Sequence, residues 1–320
     1  IAEMRGEYER GIELLGTIKA PDKSDEVENL RRSLEIRLAA ARAVRTFRTG
    51  GVSTARMQLS ALERAAPTLN HLAIVAEAFA DIGEVDHAVL MLHAKGTALA
   101  DVPGVQLQMA ALLLRAGRTS ESKAILEELA ARPGLTPAEL VALQKLRVGC
   151  AVRVADLRRS QGDLAGARRE LSPWTGVRPL EPQIANAYGR VLHDDGDYPG
   201  AAKQYSYVLK QDPGNFDALQ GLTYAALGDG IDLAEARHAL QQGLHIRNGD
   251  PRLHLFIARL DARAESYTDA LEELAKANRL VEDKMHSAVT FTLKGKSTNK
   301  PPIQIQHSEV NLENLHSEIQ

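Results

Sequence analysis

The sequence predicts an all-α solenoid, a stack of antiparallel helix pairs, and three observations carry that prediction. A short phrase recurs along the chain: a glycine or other small residue, a polar residue, an apolar residue or Tyr, two variable positions, then a small residue, with an apolar side chain four further on. Hydrophobic residues make up 44% of the chain but aromatic residues only 4%, so the apolar mass is mostly Ala and Leu. These suit helices that approach closely and suit β-sandwiches poorly. Prolines fall just beyond several phrases, at Pro67, Pro179 and Pro213, where they bar continuation of a helix.

The phrase can be followed unit by unit. Gly6-Glu7-Tyr8 leads to Gly11, Gly50-Gly51-Val52 to Ala55, Gly83-Glu84-Val85 to Ala88, and Gly117-Arg118-Thr119 to Ser122. Gly162-Asp163-Leu164 leads to Ala167, Gly196-Asp197-Tyr198 to Ala201, Asp232-Leu233 to Ala236, and Ser266-Tyr267 to Ala270. Successive small residues are 44, 33, 34, 45, 34, 35 and 34 positions apart, so five of the seven intervals hold one period. The two long intervals carry insertions at 21–30 and 133–143, which read as hinges, with 228–231 as a third. Local chemistry explains the phrase. Glycine ends the first helix in the left-handed conformation, the polar residue favours the start of the second, and the small residue lets the two helices cross closely.

Ala185, Tyr188, Gly189, Leu192, Gly196, Tyr198, Ala201, Tyr205 and Pro213 show the pattern most fully, and with the period of about 34 they resemble the tetratricopeptide repeat. The resemblance implies a right-handed superhelix of about seven to eight hairpins over residues 1–280. Departures are local: Thr223 stands at a first-helix glycine position, Ser122 at a small-residue position and Glu265 at a turn glycine. Gly11 has a second helix but almost no first helix ahead of it, so the first hairpin reads as truncated and the chain as a piece of a longer one. Residues 281–320 lack Arg and contain one Ala, so they read as a non-repeat tail, either weakly ordered or a capping helix. Within that tail Val289, Phe291 and Leu293 alternate like a short strand.

Several function classes lack their signals. A net charge of −3 gives no reason to expect nucleic acid as a partner. No window has ~18 uninterrupted apolar residues, so nothing here spans a bilayer as a helix. Cys150, the single cysteine, leaves no disulfide framework and reads as a small buried hydrophobe. Nucleophile elbows, phosphate loops and zinc or calcium spacings are missing, so catalytic residues, cofactors and metals are expected to be none. His193-Asp194-Asp195-Gly196-Asp197 looks like a metal cluster but falls where a helix ends, which makes it turn chemistry. His238, His245 and His254 fit no ligand motif.

In tetratricopeptide proteins the first helices line the binding groove. In this register that groove would show Asp156, Arg159, Asn186, Arg190, His193, Gln220, Tyr224, Arg252, Arg259 and Arg263. The mixture, with its arginine-rich end, suits a polar polymer or an acidic peptide segment, against a solvated face with no ligand. The lysine and asparagine clamp of chaperone-binding members is not carried over, because Asp156, Arg190 and Tyr224 stand at those positions. Tyr198, Tyr205 and Tyr267 read as core. Tyr207 is off the pattern and Trp174 follows the helix breaker Pro173, so either is a candidate to stack on a sugar ring or a partner side chain.

A closer resemblance rests on residues 109–118 (MAALLLRAGR), 155–171 (ADLRRSQGDLAGARREL), 215–221 (NFDALQG), and Asp250-Pro251-Arg252-Leu253-His254 followed by Ile257-Ala258-Arg259-Leu260. This wording resembles the periplasmic repeat region of the BcsC-type exopolysaccharide export proteins of bacterial cellulose synthesis. The resemblance implies a periplasmic scaffold whose parent is anchored in the outer membrane by a glucan-exporting barrel. It also implies partners among the other proteins of a polysaccharide synthase and secretion complex, with cellulose or peptidoglycan as further ligands. The alternatives are the repeat module of another exopolysaccharide exporter, such as one for poly-N-acetylglucosamine or alginate, and a cytoplasmic peptide-binding adaptor. A hydrolase or transferase has no residues placed for it.

Overall fold

A computed structural model describes residues 2–17, 24–95, 102–228 and 231–295, with side chains between residues 7 and 284. Positions 21–23, 229 and 230 of the expected hinges, and residues 296–320 of the tail, lie outside the described residues. Fifteen helices and no strands occur among the described residues. In chain order they are α1 (Ala2–Gly16), α2 (Asp25–Arg48), α3 (Val52–Ala65), α4 (Leu69–Asp81), α5 (Val85–His93), α6 (Pro103–Arg115), α7 (Thr119–Ala131) and α8 (Pro137–Ser160). There follow α9 (Leu164–Thr175), α10 (Pro182–Asp194), α11 (Tyr198–Gln211), α12 (Phe216–Leu227), α13 (Leu233–Ile246), α14 (Pro251–Arg263) and α15 (Tyr267–Gly295). The helices pack as pairs consecutive in sequence, among them α2 with α3, α4 with α5, α6 with α7, α10 with α11, α12 with α13, and α14 with α15.

Two compact units divide the chain, residues 1–150 and 151–320. The core of the first is a continuous apolar cluster that includes Val44, Leu59, Val75, Phe79, Leu92 and Leu113. In the second, Leu171, Ile184, Leu219, Leu240, Leu253 and Ile257 are fully buried.

The small residues of the phrase sit where helices cross. Ala55, Ala88, Ser122, Ala167, Ala201 and Ala236 are each 0% exposed. A Cβ on Gly11 would stand 3.1 Å from Leu34 Cδ1 of α2. The two hydroxyl departures satisfy themselves, since a buried polar group without a partner is costly. Ser122 Oγ donates to the Ala110 carbonyl at 2.8 Å, and Thr223 Oγ1 to the Leu219 carbonyl at 2.8 Å. At the turn-glycine position of the last pair, Glu265 keeps φ at +61°, in the region where Gly50, Gly83, Gly117, Gly162 and Gly196 lie.

Three sequence expectations meet a different structure. From Asp25 and from Pro137 onward the two insertions are helix, giving α2 and α8 24 residues each where α4, α6, α10 and α14 have 13. Caps explain this. The Ser24 side chain accepts from Val27 N ahead of Asp25, Glu26 and Glu28. Thr136 and Glu139 form a reciprocal box, with Thr136 N to Glu139 Oε2 at 2.8 Å and Glu139 N to Thr136 Oγ1 at 3.3 Å. Second, Pro173 does not break α9; it lies inside the last turn, and Ser172 Oγ donates at 3.3 Å to the Arg169 carbonyl that a proline nitrogen cannot serve. Third, the helical backbone of α15 runs through 289–293, where alternation reads as a strand; no proline or glycine interrupts it before Gly295.

Candidate binding groove

The repeat period puts chemically different side chains at one structural position. Asp156 on α8, Arg190 on α10, Tyr224 on α12 and Arg259 on α14 are equivalent residues of successive pairs, and the first two and the last two are joined. Arg190 Nη2 donates to Asp156 Oδ2 at 2.7 Å and its Nε to Asp156 Oδ1 at 3.0 Å, a bidentate arrangement that fixes both groups. Arg259 Nη1 donates to the Tyr224 hydroxyl at 3.3 Å. One turn along, Arg159 Nη1 donates to Asp194 Oδ2 at 2.6 Å, and His193 Nδ1 lies 3.3 Å from Asp194 Oδ1. Partial burial would raise the Asp194 pKa, but its bonds with Arg159 and His193 outweigh this and hold it below the ordinary carboxylate value.

A cavity of about 530 Å³ opens along this face. Helices α8 and α10 contribute Arg159, Arg190, His193 and Asp194, and α12 contributes Asp217, Gln220, Gly221 and Tyr224. Tyr205 enters from α11. A Cβ on Gly189 would come within 2.8 Å of its Cζ, and one on Gly221 within 2.3 Å, so both positions must lack a side chain for the ring to pass between α10 and α12. The ring is buried, and burial pushes the phenol up to about 12, which leaves it a hydrogen-bond donor at neutral pH.

Of the ten groove residues expected from sequence, Arg159, Arg190, His193, Gln220 and Tyr224 line this cavity and the other five do not. Asp156 stands behind Arg190 as its counter-ion. Asn186 is buried and donates to Asn215 Oδ1 at 3.2 Å, steadying the residue that caps α12. Arg252 lies over the Phe216 ring, 3.8 Å from its centroid, and bonds Asp250 Oδ2 at 2.7 Å, so it serves the α12–α14 contact. Arg259 bonds the Tyr224 hydroxyl, and Arg263 is exposed at the end of α14. The arginine-rich end thus lies outside the lining of this cavity.

Neither candidate stacking aromatic lines the cavity. Tyr207 uses its hydroxyl to accept from Leu180 N at 3.1 Å and to donate to Leu180 O at 3.3 Å, which fastens the segment before α10. Trp174 is half-buried in the last turn of α9. The acids of the His193–Asp197 run are divided among structural tasks: Asp194 pairs with Arg159, Asp195 with Arg168, and Asp197 caps α11 by accepting from Gly200 N at 2.9 Å. His254 Nδ1 lies 2.6 Å from Glu273 Oε2, and Cys150 is buried with Sγ 3.9 Å from the Thr119 carbonyl. Among the described residues no cluster of three His, Cys, Asp or Glu side chains could hold a metal ion, and no helix is long and apolar enough to cross a membrane.

Sequence reasoning missed Asp194, Tyr205, Asp217 and Gly221. Tyr205 carries the repeat's large-residue signature, which marks burial and conceals that the same ring lines the groove. Asp217 lies in the first turn of α12, where an acid is ordinary helix chemistry.

Stacked hairpins with a fixed period, small crossing residues and a polar row on the first helices define a tetratricopeptide-type repeat protein. The chain is similar to cellulose synthase operon protein C. It is 27% identical to that protein of Pseudomonas fluorescens over 277 residues, covering 85% of this chain and 21% of the relative. To that of Xanthomonas axonopodis pv. citri it is 29% identical over 214 residues, 65% of this chain and 14% of the relative. The chain thus spans about a fifth or less of the length of these curated relatives. Among solved structures, the C-terminal part of a TPR repeat-containing protein from Cytophaga hutchinsonii aligns with a TM-score of 0.48 at 13% identity, over 75% of this chain and 95% of that one. No protein-family profile matches the chain.

Proposed function

We propose that the chain is the non-catalytic repeat module of a bacterial cellulose synthesis and export complex, acting in the periplasm as a scaffold for other subunits. Its parent is held in the outer membrane, and the module lies on the route of the glucan towards the exporting barrel. The observation that carries this reading is the alignment with cellulose synthase operon protein C along 85% of the chain. The groove supports a binding role, because its arginines and Asp156 and Asp194 are committed to ion pairs that hold a fixed surface.

The test is capture of the periplasmic portions of a cellulose synthase complex by the immobilised chain. One or more subunits are expected to bind, and Arg190→Glu combined with Arg259→Glu is expected to weaken capture while the helical circular dichroism stays unchanged. Failure of the wild-type chain to capture any of them contradicts the reading. Preferential capture of the subunits of another exopolysaccharide system moves the assignment to that exporter.

A further inference from the structure

We propose that the cavity between α10 and α12 is a subsite for an uncharged sugar chain, with the Tyr224 ring as its platform and Asp217, Gln220 and the Tyr205 hydroxyl reading the sugar hydroxyls. This names a ligand for the groove and rests on the cellulose-complex reading only in the choice of glucan.

The charges of the lining disfavour an anion. Arg159 is matched by Asp194 at 2.6 Å and Arg190 by Asp156 at 2.7 Å, while Asp217 adds a further negative group to the lining. An acidic peptide or a uronate polymer would have to displace a carboxylate already seated on its arginine, and would meet Asp217 besides. The polar groups left over are those that bind neutral hydroxyls. Among the described residues, Asp217 and Gln220 make no side-chain hydrogen bond. One offers acceptors only, the other a donor pair and an acceptor, and Tyr205 offers a phenol donor.

Tyr224 supplies the apolar element. It is 38% exposed although aromatic, and it lines the cavity. Phe256 meets it edge-on with centroids 6.1 Å apart, and Arg259 holds its hydroxyl at 3.3 Å. A ring so held presents area to the C–H face of a pyranose at little entropic cost. The volume of about 530 Å³ lies within the roughly 300–1,000 Å³ usual for small-ligand sites, so it takes a short stretch of chain rather than a folded partner.

The experiment titrates the chain with cellohexaose, following the tyrosine signals by NMR, with an oligoglucuronate and an acidic peptide as charged controls. Cellohexaose is expected to shift the Tyr205 and Tyr224 signals, and the two anions to leave them in place. Tyr224→Ala and Asp217→Ala should each weaken binding by about tenfold, the loss of one strong contact. Tyr224→Phe should retain most of the affinity, and Lys203→Ala on the exposed side of α11 all of it. Melting curves of each variant separate lost binding from lost fold. Tighter binding of either anion, or cellohexaose binding that Tyr224→Ala leaves unchanged, overturns the subsite. If cellohexaose does not bind while synthase subunits are still captured, the subsite is wrong and the scaffold reading stands. If cellohexaose binds and none of the subunits is captured, the reverse holds.

Discussion

The two units use the same repeat position for different purposes. The residue six before each turn glycine is Val44, Glu77 and Ala111 in the first unit and Asp156 and Arg190 in the second, continued by Tyr224 and Arg259. The residue three before it is Phe47, Ala80 and Leu114 in the first unit, then Arg159 and His193 in the second. Helix α4 buries every residue from His71 to Ala80 except Glu77, which stays exposed, and the first unit's apolar cluster runs through it. Helix α10 buries Ile184, Ala185, Ala187, Val191 and Leu192 but turns Arg190, His193 and Asp194 to the cavity. The fold tolerates either solution because its crossing residues lie elsewhere, at Ala88 and Ala201 and their equivalents. Helix crossing and surface chemistry are thus encoded at separate positions of one repeat.

The largest expected effect breaks the first unit alone. Phe79 is 1% exposed, with its ring edge-on to His87 at 4.5 Å, and Phe79→Ala should cost about 3–5 kcal/mol. Urea unfolding followed by hydrogen exchange should place that loss in α2–α6 and leave protection of α10–α12 nearly intact, since repeat units couple chiefly to their neighbours. The converse variant is Gly221→Ala. Its Cβ would fall 2.3 Å from Tyr205 Cζ, so the ring must move; about 1–3 kcal/mol should be lost from the second unit, together with the cavity. Thermal melts and the Tyr205 NMR signals check both parts.

Acid should separate the units in order. His71 is buried between Thr68 Oγ1 at 2.6 Å and Ser33 Oγ at 3.1 Å, and burial holds its pKa below the ordinary 6.5. Below pH 6.5 the unfolded chain therefore binds the proton more readily, and the first unit loses stability until the folded pKa is passed. The second unit also loses stability in acid, but at lower pH. Partial burial raises the pKa of Asp194 and of Asp250, but their arginine partners outweigh it, so both stay below the ordinary 3.8. Their contribution is complete above that value and lost as pH falls through the folded pKa. Hydrogen exchange at stepped pH should show α4 loosening before α10 and α14. The smallest effect is expected at Glu265, whose positive φ disfavours a side chain. Glu265→Gly should raise the stability of the last pair by about 1 kcal/mol in denaturant melts.

Much of the fold was legible because its signals are local. Glycine at the left-handed turn, a small residue at the crossing and an apolar residue one turn later are each dictated by backbone or contact geometry within one hairpin. The insertions were less legible. Extra residues between repeats can form a loop or lengthen a helix, and the choice fell to the Ser24 cap and the Thr136–Glu139 box. The groove was half legible for a related reason. Periodicity places Arg159 and His193 at one first-helix position, Arg190 and Tyr224 at another and Gln220 at a third, whereas partners are set by approaches between helices. Nothing local tells that Arg252 is drawn onto Phe216, that Asn186 braces Asn215, or that Tyr207 is tied to Leu180.

Hydrogen exchange of the whole chain, with and without the periplasmic portions of a cellulose synthase complex, tests the division of labour most directly. Binding is expected to protect α10, α12 and α14 of the second unit and to leave α2–α6 of the first unchanged. Protection confined to the first unit, or absent from both, would contradict it.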